Sequence, residues 1–207
     1  MKFVLTISSI AMAAIAAADQ GVSWSSYNLT SSGPESITIG YQFDVTTALN
    51  VTALGFFTNP NKGDNTFADS HEVGLWNAAG TLLASATVTD SSTLIGMFKW
   101  TSITPVTLLP GIGYQVAGFT PDPGDLWAYG DSFNSPGADF QGYTEAPGIA
   151  NALGWFSYAP VFSEPLNTYH KMYGGGNIMT AAVPEPAGYA VLAVGALGLL
   201  ARRRRRV

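Results

Sequence analysis

Between Ile37 and Val45 every odd position is apolar (Ile37, Ile39, Tyr41, Phe43, Val45), with Thr38, Gln42 and Asp44 between them. A period of two turns one face of an extended chain to a core and the other outward, so the stretch predicts a half-buried strand. Leu49, Val51, Ala53 and Phe57 continue the odd-position pattern in a second strand. His71 to Trp76 reads as a third, Asn77 to Gly80 as a tight connection, and Leu82, Ala84, Ala86 and Val88 as the alternating face of the next. Phe98 and Trp100 mark another strand, and Ile178 to Ala182 a final one. Short elements separated by Gly, Pro and Asn turns predict an all-β fold, an antiparallel β-sandwich of Greek-key or jelly-roll type.

The segment from Val106 to Val116 carries Pro110-Gly111, a turn signal, and then Tyr114 at the start of an alternating strand. That order resembles the tyrosine corner of Greek-key sandwiches, in which the phenol hydroxyl bonds back to upstream backbone. From Trp127 to Tyr173 the pattern loses its period. Eleven of the twenty-five aromatic residues fall there among prolines and glycines, which predicts long irregular connections.

The two ends follow different rules. Met1 to Ala18 has one early charge, Lys2, then an apolar run, then Ala16-Ala17-Ala18 before the polar Asp19-Gln20-Gly21. This is the layout of a signal peptide read by signal peptidase at Ala16 and Ala18, with cleavage after Ala18. At the other end stand Pro184-Glu185-Pro186, an uncharged stretch from Ala187 to Ala201, and Arg202, Arg203, Arg204, Arg205 and Arg206. The prolines fix φ and lack a donor, so they end any strand and hold an extended segment suited to a protease cleft. Fifteen uncharged residues as a helix rise about 22 Å against a hydrocarbon core of about 30 Å, a short and weak anchor. Five arginines keep their end cytoplasmic. The chain is thus expected as a signal helix (1–18), a linker (19–35), a sandwich (36–182) and a tail (183–207) with a single hydrophobic helix.

The order Val-Pro-Glu-Pro, apolar segment and arginine cluster resembles the PEP-CTERM protein-sorting domain of exopolysaccharide-producing Gram-negative bacteria. The resemblance implies recognition of Pro184, Glu185 and Pro186 by an exosortase, with Arg202 to Arg206 as the retention signal. It makes the chain a substrate, transiently held in the inner membrane and then moved to the surface or beyond. Residues from about Ile39 to Phe119 also resemble an uncharacterised bacterial all-β domain family. That likeness lies in Gly40-Tyr41-Gln42-Phe43, in His71-Glu72-Val73-Gly74-Leu75-Trp76 with Ala79-Gly80-Thr81-Leu82-Leu83-Ala84, and in Thr104-Pro105-Val106-Thr107-Leu108. It implies a secreted or surface protein and transfers no catalytic residue.

Composition narrows the function. The chain has no cysteine, so neither a disulfide nor a cysteine-ligated metal is possible. Between Asp19 and Ala201 three lysines stand against fourteen acids, a net of −11 that repels nucleic acid. The two histidines, His71 and His170, are isolated, lack metal-ligand spacing, and read as ordinary surface or strand residues. His71 and Glu72 are adjacent in a strand and point to opposite faces, so they form no dyad. No Gly-x-Ser-x-Gly elbow occurs, and no carboxylate pair can be singled out among fourteen acids. Asn59 to Asn65 has some oxygen ligands of a calcium loop but lacks the terminal glutamate and carries Lys62, so it reads as a hairpin turn. No metal and no cofactor is expected.

The aromatics admit two readings. Trp127, Tyr129, Trp155 and Tyr158 could stack on sugar rings, with Asp125, Asp131 or Asn134 bonding hydroxyls; packed into the core they would do neither. The expected function is that of an exported, non-enzymatic surface or matrix protein associated with exopolysaccharide and processed by signal peptidase and exosortase. A carbohydrate-binding module is the first alternative and a secreted hydrolase the second.

Overall fold

The computed structural model of the protein describes residues 18–27, 29–31, 36–58, 65–121, 125, 127–129, 140–141, 144–158, 162, 167–168 and 173–183. For 26–27, 29–31, 127–129, 140–141, 155–158, 167–168 and 173 the description is of the backbone alone. The chain divides into a unit spanning Ala17–Ala182 and a second made of Met1–Ala16 with Val183–Val207. The second, Val183 apart, lies outside the described residues, and with it the two terminal helices expected from the sequence. Among the described residues no helix is long and apolar enough to cross a membrane.

The first unit is all-β. Its strands are β1 (Asp19–Gln20), β2 (Val22–Ser23), β3 (Ser26–Tyr27), β4 (Leu29–Ser31), β5 (Ile37–Val45), β6 (Leu49–Phe57), β7 (His71–Trp76), β8 (Leu82–Val88) and β9 (Thr93–Ile95). They continue as β10 (Phe98–Leu108), β11 (Gly111–Thr120), β12 (Trp127–Tyr129), β13 (Phe140–Gln141), β14 (Thr144–Glu145), β15 (Ile149–Tyr158), β16 (Asn167–Thr168), β17 (Tyr173–Gly174) and β18 (Gly176–Ala182). One sheet runs β1-β18-β6-β10-β9 and the other β16-β15-β5-β11-β7-β8, every pairing antiparallel. Small ribbons, β17-β12-β4, β13-β3 and β14-β2, complete the unit.

The ribbon β5–β6 lies alongside the ribbon β10–β11, β5 on β11 in one sheet and β6 on β10 in the other. Both ribbons cross between sheets at the same end, at residues 46–48 and 109–110, the wrap of a jelly roll. The alternation read from the sequence holds over Tyr41–Val45 and Leu49–Ala53, while Ile37–Tyr41 and Ala53–Phe57 are buried on both faces rather than half-buried. Tyr41, Phe43, Val51, Leu54, Phe56 and Phe57 are all fully buried in one continuous core. Each such side chain contributes about 1.5–3 kcal/mol of burial. Tyr114 stacks on Phe43 at 5.9 Å, and its hydroxyl donates to the Leu109 carbonyl at 3.1 Å, so the tyrosine corner is present.

Two expectations need correction. Residues 19–31, expected as part of a linker, form β1 to β4, and the sandwich begins at Asp19 rather than at 36. Val22 and Trp24 are buried. Asn177, itself fully buried, holds this segment like a further strand. Its Nδ2 donates to the Val22 carbonyl at 2.8 Å, and its Oδ1 accepts from Val22 N–H at 3.3 Å and from the Tyr41 hydroxyl at 2.7 Å. The second correction is β15, ten residues inside the stretch expected as irregular connection, which pairs with β5 on both sides of a bulge. A bulge between Ala150 and Leu153, with Asn151 at φ 56°, breaks the period that would have disclosed it.

Candidate functional site

Polar side chains gather at the two ends of the sandwich. At the end where β7 begins, His71 is a strand residue, one of the two readings the sequence allowed, and it follows the inward alternation of Val73 and Leu75 and is fully buried rather than at the surface. Phe56 stacks on its ring at 3.8 Å and Phe67 meets it edge-on at 4.7 Å. Nδ1 lies 3.0 Å from the Phe119 carbonyl and Nε2 lies 3.1 Å from Asp125 Oδ2. Both partners are oxygens, one a backbone carbonyl and the other a carboxylate.

Asp125 does not reach out toward a ligand. Its Oδ1 accepts from Ala68 N–H and its Oδ2 from Asp69 N–H, each at 3.0 Å, besides the bond from His71. Burial pushes the Asp125 carboxyl up, but the hydrogen bonds from His71, Ala68 and Asp69 and the charge on His71 outweigh it, leaving the group below the ordinary carboxylate range. Nearby, Lys99 is almost wholly buried, donates to the Asp90 carbonyl at 2.6 Å and to the Asp90 carboxylate, and lies 5.1 Å above the Phe67 ring. The hydrogen bond from Lys99, and then that from Phe67 N–H, lower the Asp90 carboxyl. Together these contacts fasten residues 67–69 across the end of the sandwich. Both ring nitrogens of His71 are thus engaged within the fold, by Phe119 and Asp125.

At the opposite end Asp44 bridges two bulges. Its Oδ1 accepts from Gly113 N–H at 3.0 Å and its Oδ2 from Asn151 Nδ2 at 2.8 Å. Gly113 has φ 78°, the left-handed conformation that the bulge requires. Glu145 Oε1 accepts from Ala152 N–H at 2.7 Å. These carboxylates, too, serve backbone donors of neighbouring strands.

The larger of two described cavities, about 550 Å³, is an open groove between β8 and the bulged stretch of β10. Residues 83–87 and 101–106 line it, with hydroxyls from Ser85, Thr87, Thr101, Ser102 and Thr104 and neither charge nor aromatic ring. The other, about 320 Å³, lies against Asp19, Gln20, Thr144 and Glu145. Among the described residues no three His, Asp or Glu side chains converge as metal ligands would.

The sugar-stacking candidates divide between sheets. The backbone of Trp127 and Tyr129 runs in β12 and that of Trp155 and Tyr158 in β15 of the six-stranded sheet; the side chains of all four are outside those described. Asp131, Asn134, His170, the stretch 59–64, Ala16, the motif Pro184 to Pro186 and Arg202 to Arg206 also lie outside the described residues. Sequence reasoning missed the His71–Asp125 pair because its members are 54 positions apart. The available signal was the parity of His71 with Val73 and Leu75, which places a polar ring in the core and demands partners for it.

Comparison with known proteins gives two matches. The PEP-CTERM protein-sorting motif matches residues 182–206, as the tail resemblance implied, and marks an exported protein that an exosortase sorts. A family model described as Domain of unknown function (DUF4082) matches residues 24–173. No curated protein and no solved structure matches the chain. The second match starts at the buried Trp24, ends at Tyr173 in β17 and takes in most of the sandwich, and on it the chain belongs to the DUF4082 family.

Proposed function

We propose that the protein is a non-enzymatic component of the extracellular matrix. It is cut by signal peptidase after Ala18, held transiently in the inner membrane by its C-terminal segment, and then released or transferred by exosortase to act with exopolysaccharide. The sorting motif at residues 182–206 supports the route. The observation that carries the non-enzymatic reading is how the fold uses its ionisable side chains: His71, Asp125, Lys99, Asp44 and Glu145 each bond to strand or loop backbone or to one another. Such groups stabilise the sandwich and are not presented to a substrate.

The test compares a native host with and without its exosortase. With the enzyme, the body is expected in the extracellular polysaccharide fraction; without it, in the inner membrane. Incubated with host exopolysaccharide, the purified protein is expected to leave polymer length unchanged. Depolymerisation would establish a hydrolase, and persistence in the inner membrane with exosortase active would contradict the route.

A further inference from the structure

The end of the sandwich where the ribbons cross has an unusual makeup. Its connections are Thr46-Thr47-Ala48, Asn77-Ala78-Ala79-Gly80-Thr81, Leu109-Pro110 and Ala146-Pro147-Gly148, none with a charge. The β11 bulge adds Ile112-Gly113. Leu109 is 64% exposed and Ile112 77%, the most exposed large apolar residues among those described. The Tyr114 hydroxyl holds the Leu109 carbonyl and Asp44 holds Gly113 N–H, so both apolar side chains stand on a braced turn. Asp44 and Glu145 at this end are occupied by backbone and amide donors. Asp90, Lys99 and Asp125 are all at the other end.

Both outward connections of the body leave from this same end. Ala182 is opposite Leu49, and Leu49 is opposite Leu108, so the chain departs two strands from the Leu109 turn, about 10 Å at ordinary strand spacing. Asp19 is opposite Thr180 in antiparallel register, so the chain preceding it comes in alongside. From Val183 to Ala187, where the uncharged segment begins, there are four residues, a reach of at most about 14 Å.

We propose that this end is a membrane-docking surface. While the tail is embedded, Leu109 and Ile112 insert into the interfacial layer of the outer leaflet and seat the sandwich on the bilayer with its sorting motif at the membrane surface. The contact is apolar: among the described residues this end has no basic side chain, and a body with thirteen acids against three lysines, a net of −10, would be repelled by anionic headgroups, so the lipid it fits is zwitterionic. The docking holds the Pro184-Glu185-Pro186 segment in the layer where a membrane-embedded peptidase works, and it ends once the tail is removed.

This rests on the reading of the tail as a membrane anchor, and the experiment separates the two. The full chain is reconstituted into phosphatidylcholine vesicles and floated. Failure to float overturns the anchor reading and the docking with it. On floating vesicles, an environment-sensitive fluorophore is attached at Ile112→Cys or, at the opposite end, at Ser91→Cys; the protein has no other cysteine. Docking predicts a blue shift and quenching by lipids brominated near the headgroup at position 112, and neither at position 91. A third label at Thr47→Cys is expected to be quenched, and to lose that quenching when Leu109→Ser and Ile112→Ser are combined, with Tm unchanged because both positions are exposed. Equal solvent exposure at 112 and 91 on floating vesicles overturns the docking alone. So does shielding at 112 without quenching by brominated lipid, which would indicate a second copy of the chain on the turn.

Discussion

Replacing Asn177 by alanine should loosen the N-terminal segment and cost a substantial part of the stability of the sandwich. The amide of Asn177 meets Val22 N–H, the Val22 carbonyl and the Tyr41 hydroxyl in a fully buried site. Ile178 N–H also donates to the amide oxygen at 2.8 Å, so removing the side chain leaves four buried polar groups without that partner, at about 1–3 kcal/mol each. These groups share one site and do not add independently, which places the loss at about 3–5 kcal/mol. For a domain of this size that corresponds to a fall in Tm of about 10 °C. Tyr41→Phe removes only one of these four hydrogen bonds and should cost about 1 kcal/mol. Differential scanning calorimetry reads both, and hydrogen exchange of residues 19–24 should accelerate strongly in Asn177→Ala alone. Equal Tm losses for the two variants, or unchanged protection at 19–24 in Asn177→Ala, would refute the clamp.

Other variants probe other joints. Because the Asp125 carboxyl is held below its ordinary range, its stabilisation is complete above about pH 4 and lost as pH falls through the folded value. Asp125→Asn should therefore lower Tm at pH 7 and flatten the decline of Tm between neutral and acidic pH; an unchanged acid slope would count against the pair. Tyr114→Phe deletes the bond to Leu109 and should cost about 0.5–1.5 kcal/mol in denaturant titration, whereas Tyr114→Leu also loses the stack on Phe43 and should cost more. At Gly40 an added Cβ would stand 2.0 Å from the Val116 carbonyl oxygen, so Gly40→Ala should prevent accumulation of soluble protein, and near-normal expression would show that β5 and β11 are less rigid than described.

The strands were legible where the period holds: Tyr41 to Val45 and Leu49 to Ala53 alternate because their odd positions fill the core, whereas Thr38, Leu54 and Phe56 on the other face are buried as well. Where a bulge inserts residues, as at Asn151 in β15, the parity flips mid-strand and the pattern dissolves although the pairing continues. The segment 19–31 was illegible for another reason. It is polar, its strands are two or three residues long, and it is held by Asn177 from the far end of the sequence, a contact that no local window contains. His71 shows the same limit at the candidate site. Its parity was readable, but its partner Asp125 sits in a connection without periodicity. The tail was legible because recognition there depends on order along the chain rather than on tertiary contacts.

The central claim concerns processing, and the mature C-terminus tests it most directly. Intact-mass and C-terminal peptide spectrometry of the protein recovered from the surface or medium of its native host should find Arg202 to Val207 absent and the chain ending near Pro184-Glu185-Pro186, bare or joined to another group. Recovery of a surface protein that still carries Arg202 to Val207 would contradict it.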